Sequence, residues 1–254
     1  MSRCDTRRAK ATGSSPRAKA RCWGDNFFGQ LGIDDTDNRN FPVVPSPSKG
    51  WSSITAGLYH TCGVRYRVRW CWGWNVLGQL GQTQSANERH VPYRIIESGI
   101  SWSTSPQGIS AGAHHTCAVG TSGGVARLYC WGYNSSGQLG LGDYSNRFVP
   151  TVVTSTPVVA IAAGTHHTCI VRGDGRRACT GANSYGQLGT YDTTSRTSWT
   201  LISDSVTWRS ISAGTDHTCA ISTGNALYCW GSNNAGKLGL GGGSYRISPT
   251  QVLG

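Results

Sequence analysis

Cys130-Trp131-Gly132-Tyr133-Asn134-Ser135-Ser136-Gly137-Gln138-Leu139-Gly140 is the run that decides the fold, because it comes round five times. Cys22 to Gly32 and Cys71 to Gly81 repeat its pattern: Cys-Trp-Gly, one variable residue, Asn, two variable residues, then Gly-Gln-Leu-Gly. Cys179 to Gly189 has Thr180 in place of the tryptophan, and Cys229 to Gly239 has Lys237 in place of the glutamine. The opening cysteines lie 49, 59, 49 and 50 residues apart, so one supersecondary unit is repeated along the chain. A residue found in every copy is read first as a builder of the copy.

Upstream of each later block a short strand-like run ends in Ala-Gly, at Ile54 to Gly57, Ile109 to Gly112, Ile161 to Gly164 and Ile211 to Gly214. Three residues after each of these glycines stands His-Thr-Cys, and a brief turn leads from there into the next Cys-Trp-Gly. Downstream of the block come a polar loop and a Pro/Val stretch: Pro42 to Val44, Pro92 to Ile96, Pro150 to Val153 and Pro249 to Val252. Each period thus offers about four short apolar runs separated by Gly, Asn, Asp and Pro, with no sustained helical period. The expected fold is all-β, a β-propeller of about five four-stranded blades.

Ala-Gly-x-x-His-Thr-Cys-Ala-Val followed by Trp-Gly-x-Asn-x-x-Gly-Gln-Leu-Gly-Leu-Gly-Asp, complete at Ala111 to Val119 and Trp131 to Asp143, resembles the regulator of chromosome condensation repeat. The resemblance covers residues 22–254, and its cysteine-paired form is similar to repeats of bacterial surface and secreted proteins. The family's founding member is a nucleotide-exchange factor that also binds chromatin. Nothing in this chain matches its active loops residue by residue, so that activity is not carried over.

The ten cysteines fall into five pairs across successive hairpins: Cys4/Cys22, Cys62/Cys71, Cys117/Cys130, Cys169/Cys179 and Cys219/Cys229. Opposed residues at a non-hydrogen-bonded site of an antiparallel ladder are close enough for a disulfide, with a Cα separation expected within roughly 4.4 to 6.8 Å. Five disulfides imply an oxidising compartment, extracellular or at the cell surface; the alternative is reduced core cysteines in a cytoplasmic or nuclear protein. Residues 1–21 hold no apolar signal segment and read as a basic, irregular start of an incomplete first repeat, with the propeller domain at 22–254. The first copy lacks an Ile-x-Ala-Gly strand, so one sheet position beside Cys4 to Asn26 is expected to be empty. Four full blades and three strands of another then read as a fragment of a longer exported propeller.

Glycine, at 35 residues, is about twice as frequent as usual, as a chain rich in tight turns requires. No apolar run approaches the roughly 20 residues of a membrane-spanning helix. Of the formal charge of +11, the first 21 residues carry +6. That arm is either a nucleic-acid contact or a solvated hairpin turn, and it has no interleaved aromatic residue for base stacking.

No catalytic motif is present: no Gly-x-Ser-x-Gly, no phosphate-binding loop, no His-Glu-x-x-His. No cofactor or metal is expected either, since the His-x-Cys spacing resembles no usual zinc finger. His60, His115, His167 and His217 each occupy the same place in their repeat and are read as structural. The preceding position varies, as Tyr59, His114, His166 and Asp216, and should face solvent or the central shaft. Arg39, Arg89, Arg147, Arg196 and Arg246 recur in the loop before the last strand, as an anion-binding ring or as partners of loop carboxylates such as Asp35, Asp143 and Asp192. Phe27, Phe28, Trp74, Tyr133 and Tyr185 occupy positions that differ between copies, so the scaffold does not dictate them. They form a candidate partner-binding surface or pack between blades. The functional expectation is a non-catalytic scaffold for a protein partner, the alternative an intracellular exchange-factor-like or chromatin-associated protein.

Overall fold

A computed structural model describes residues 3–7, 19–82 and 87–253. They form five antiparallel sheets in chain order. Blade I contains β1 (Arg3–Arg7), β2 (Lys19–Gly24) and β3 (Arg39–Val43). Blade II is β4 (Trp51–Ala56), β5 (His60–Arg65), β6 (Val68–Trp74) and β7 (Glu88–Ile95). In blade III the inner strand is split into β8 (Ser101–Trp102) and β9 (Ile109–Ala111), which both pair with β10 (His115–Ser122), followed by β11 (Val125–Gly132) and β12 (Arg147–Thr154). Blade IV is β13 (Val158–Ala163), β14 (His167–Arg172), β15 (Arg177–Gly181) and β16 (Arg196–Ile202). Blade V is β17 (Trp208–Ala213), β18 (His217–Ser222), β19 (Leu227–Ser232) and β20 (Tyr245–Gln251).

Among the described residues blade I has three strands, with β1 at the edge of its sheet. Because Arg3–Arg7 and Lys19–Gly24 pair in register, the boundary after residue 21 falls inside a strand, and the irregular start expected for 1–21 is part of the first sheet at both ends. Most of the basic arm lies outside the described residues. The longest repeat spacing, from Cys71 to Cys130, is absorbed by the loop that splits the inner strand of blade III and by a longer β10–β11 hairpin.

All five cysteine pairs are directly opposed and bonded within their own blade. The Trp74 N–H donates to the Tyr59 carbonyl at 2.8 Å, so alternate pairs of the ladder are hydrogen-bonded and Cys62/Cys71 occupies a narrow, non-hydrogen-bonded site. The Cα separation there and at the other four bridges is 4.1 Å. That is just below the expected window, because the narrow pair brings the two chains closer than an average bridge.

The core lies between blades. Cys62, Leu80, Ile95, Trp102, Tyr129 and Trp131 form one buried cluster across blades II and III, and Cys169, Leu188, Ile211, Trp208 and Trp230 form another across IV and V. Trp72, Trp131 and Trp230 of the Cys-Trp-Gly blocks donate their indole N–H to the carbonyls of Gln30, Gln79 and Gln187 of the preceding blade, each at 2.9 Å. In blade IV the Thr180 hydroxyl donates to the Gly137 carbonyl at 2.8 Å, and Trp199 of β16 packs against Gly140 where Trp72, Trp131 and Trp230 pack on Gly32, Gly81 and Gly189. The ring missing from β15 is thus supplied by the neighbouring strand, which is how a degraded copy keeps its volume.

Two buried arginines, absent from the sequence expectations, fasten alternate interfaces. Arg69 pairs with Glu97, donates to the Gly81 carbonyl at 2.9 Å and lies 4.5 Å from the Trp131 ring centroid. Arg177 pairs with Asp204 at 2.5 Å, donates to the Leu188 and Gly189 carbonyls at 2.8 Å, and lies over Trp230. The equivalent place in blade III is the buried Leu128.

Candidate binding face

The Ala-Gly-x-x-His-Thr motif builds a relay from blade to blade. Thr116, Thr168 and Thr218 donate their hydroxyl hydrogens to the carbonyls of Gln79, Gln138 and Gln187. A carbonyl can only accept, so each hydroxyl accepts from the Nε2–H of the preceding blade's histidine: His60 to Thr116 at 2.9 Å, His115 to Thr168 at 2.8 Å, His167 to Thr218 at 2.9 Å. This fixes the neutral Nε2–H tautomer and leaves Nδ1 without a partner in each ring. Burial, followed by neighbouring imidazoles, pushes these three histidines down to about 3. Gly57, Gly112 and Gly164 lie directly under the rings, where a Cβ would collide with the imidazole, and this explains the spacing from glycine to histidine. The histidines are structural joints between blades. Among the described residues no cluster of three His, Cys, Asp or Glu side chains is placed to hold a metal.

The inner strands meet around an axial cavity of about 560 Å³ lined by Ala56 to Leu58, Ala111 to Ala113, Ala163 to Thr165 and Ala213 to Thr215. Backbone bonds link neighbouring blades around it, Leu58 N–H to Ala113 O and Ala113 N–H to Gly164 O.

At one end of the hairpins the residue before His-Thr-Cys stands opposite the residue after Cys-Trp-Gly. Backbone bonds of 2.8 to 2.9 Å mark the pairs Tyr59/Trp74, His114/Tyr133, His166/Ala182 and Asp216/Ser232. From blade I to the start of blade IV these positions, together with Phe27 and Phe28, join into an aromatic and imidazole belt. Phe28 contacts Phe27, Tyr59 and Trp74 at centroid distances of 4.9, 5.1 and 5.7 Å. Trp74 meets His114 at 5.4 Å, His114 meets Tyr133 at 6.3 Å, and Tyr133 meets His166 at 6.5 Å. Phe27 is 70% exposed, while Phe28, Trp74, His114, Tyr133 and His166 are half-buried. Burial, then the His166 charge, lowers the pKa of His114. Tyr185 stands apart from this belt, on a cavity of about 610 Å³ between blades IV and V that also holds Asp216, Ser232, Lys237 and Tyr245. Sequence reasoning had four of the belt residues and missed Tyr59, His114 and His166 as members, although extending the register of each cysteine pair by three residues places them there.

The recurring arginines have partners of their own. Arg39, Arg147 and Arg196 pair with Asp35, Asp143 and Asp192 four residues earlier at 2.5, 2.5 and 2.6 Å. The hydrogen bond from Arg147 holds the Asp143 carboxyl below the usual carboxylate range. Arg89 lies 4.4 Å from the Tyr93 ring centroid, and Arg246 bonds to the carbonyls of Gly242 and Tyr245, where the loop has glycine in place of aspartate. The loop geometry is completed by Asn26, Asn134 and Asn183, each of which binds the loop aspartate with its amide and accepts the leucine N–H of Gly-Gln-Leu-Gly. No helix among the described residues is long and apolar enough to cross a membrane.

The solved structure of yeast RCC1 (Prp20) bound to Kap60 superposes with a TM-score of 0.76 at 21% identity, covering 93% of this chain and 57% of that one. Human WBSCR16 gives 0.76 at 18% identity, covering 91% and 66%. Among curated proteins, the ultraviolet-B receptor UVR8 of Arabidopsis thaliana is 30% identical over 164 residues, 62% of this chain and 36% of its own length. The probable E3 ubiquitin-protein ligase HERC4 of Homo sapiens is 31% identical over 128 residues, 48% of this chain and 11% of its own length. The chain therefore spans about a third or less of these two curated relatives. The family model of the regulator of chromosome condensation repeat matches residues 22–64, 70–119, 126–171 and 179–221, and a second model of the repeat matches 107–138, 158–187 and 208–237. With its matching repeats stacked as propeller blades, the chain belongs to the regulator of chromosome condensation (RCC1) repeat family.

Proposed function

We propose that this propeller is a non-catalytic scaffold whose belt, Phe27, Phe28, Trp74 and Tyr133 together with Tyr59, His114 and His166, binds a protein partner. The observation that carries the reading is the division of labour in the repeat. Its constant His, Thr, Asn, Gln and Gly residues are committed to joints and loops, while the rings at non-repeating positions are left partly exposed and contiguous. Aromatic side chains of this kind are the usual anchors of a protein interface. Prp20p of Saccharomyces cerevisiae, whose solved structure is similar to this one, has binding properties toward Gsp1p and histones, which agrees with a protein-binding role for the fold. Five intrablade disulfides support an extracytoplasmic site of action.

The test is affinity isolation from the source organism with immobilised wild-type protein and the Trp74→Ala/Tyr133→Ala variant side by side. The scaffold reading expects a retained protein whose affinity falls about 30-fold or more on the variant, the equivalent of about 2 kcal/mol. Equal retention of every bound protein by both forms would remove the belt as the binding face. Mass spectrometry of protein alkylated before lysis tests the compartment, with five bridges expected in the native state.

A further inference from the structure

We infer that the cavity between blades IV and V binds a small zwitterion, a free amino acid or dipeptide, through Asp216 and Lys237. Three positions of the repeat, the second residue after Asn, the residue before His-Thr-Cys and the residue after Cys-Trp-Gly, meet between blades I and II and again between blades IV and V. Between blades I and II these are Phe28, Tyr59 and Trp74, three rings in mutual contact that plug the notch there. Between blades IV and V they are Tyr185, Asp216 and Ser232, and a space of about 610 Å³ opens, within the range of small-molecule sites.

Three side chains found in this place in no other blade converge on that one space: an aspartate where blades II to IV have Tyr or His, a serine where blades II to IV have Trp, Tyr and Ala, and a lysine in place of the repeat's Gln. Neither the Asp216 carboxylate nor the Lys237 ammonium makes a hydrogen bond or ion pair to another described residue. The two nevertheless act with opposite sign on His217, so a negative and a positive charge stand at the same cavity without neutralising each other in a bridge. In the loops of blades III and IV such groups are paired, Asp143 with Arg147 and Asp192 with Arg196. A purely anionic ligand would meet Asp216, and a purely cationic one would meet Lys237. A ligand carrying both an ammonium and a carboxylate satisfies the two together. The Tyr185 and Tyr245 rings and the Ser232 and Ser244 hydroxyls supply walls and secondary hydrogen bonds.

The inference does not rest on the scaffold reading, because it uses none of the belt residues. Heteronuclear NMR titration of the whole chain with glycylglycine is the test, with glycinamide, N-acetylglycine and N-acetylglycinamide as cationic, anionic and neutral controls. Glycylglycine should shift the amide signals of Tyr185 and Ser232 saturably, with a dissociation constant in roughly the millimolar range, and each control should bind at least about tenfold more weakly. Asp216→Asn and Lys237→Gln should each weaken binding by about tenfold, and Ser232→Trp, which refills the notch as Trp74 does, should abolish it with other signals in place. Trp74→Ala/Tyr133→Ala should leave it unchanged. Binding of the neutral control as tight as that of glycylglycine, absence of saturable shifts, or undiminished binding by Ser232→Trp would overturn the proposal.

Discussion

The notch between blades I and II and the notch between blades IV and V are built from the same three positions of the repeat, yet one is filled by Phe28, Tyr59 and Trp74 and the other is open beside Tyr185, Asp216 and Ser232. Around both, the frame is the same: a bonded cysteine pair, a tryptophan indole on a glutamine carbonyl and an asparagine-closed loop. Because the frame carries the stability, the notch residues are free to differ, and the two ends of the chain acquire different surfaces on one architecture. Variation within a repeat therefore marks where chemistry is displayed, and constancy marks where blades are joined.

The frame can be attacked first. Each bridge closes a short loop and contributes about 2 to 4 kcal/mol. Complete reduction should therefore abolish cooperative thermal unfolding or lower its midpoint steeply, with both regions lost together. A reduced protein that melts unchanged would place the stability elsewhere. Arg177→Ala strips the partner from the buried Asp204 and should cost about 3 to 5 kcal/mol, loosening blades IV and V before the belt. Hydrogen exchange resolved by residue would detect the order of loss.

His115→Ala removes a joint on the belt side and leaves the Thr168 hydroxyl without its donor. A loss of about 1 to 3 kcal/mol in chemical denaturation is expected. The same joints make the molecule acid-sensitive. His60, His115 and His167 are held neutral in the fold, so the unfolded chain binds more protons below its ordinary imidazole pKa. Stability is full above about 6.5 and falls as pH drops toward about 3. A denaturation midpoint that does not fall between pH 7 and pH 4 would contradict the neutral relay. The smallest effect belongs to the exposed loop bridges: Arg147→Ala should change stability by no more than about 1 kcal/mol.

Blade count, strand order and disulfide pairing were legible because they depend on local alternation and on a period that a single sequence displays five times over. The three strands described in blade I, β1 to β3, accord with a first copy that has no Ala-Gly run before Cys22. The buried arginines were not legible: Arg69 and Arg177 meet carboxylates 28 and 27 residues away, outside the repeat block. The exchange of Trp199 for the ring missing at Thr180 was hidden for the same reason, since it depends on two strands lying side by side. The site was half legible. Variable aromatic residues could be picked out, but their contiguity with Tyr59, His114 and His166, and the separation of Tyr185 from them, needed the hairpin register and the packing of one blade on the next.

The central claim is that recognition resides in the non-repeating rings and not in the repeated histidines. The most direct measurement is a paired one, thermal unfolding and partner affinity for Trp74→Ala/Tyr133→Ala beside His115→Ala. The account predicts that the double variant unfolds close to wild type and binds about 30-fold more weakly, while His115→Ala loses stability and, once folded at low temperature, still binds. A double variant that unfolds while His115→Ala stays stable but no longer binds would contradict it and move the functional site to the histidine relay.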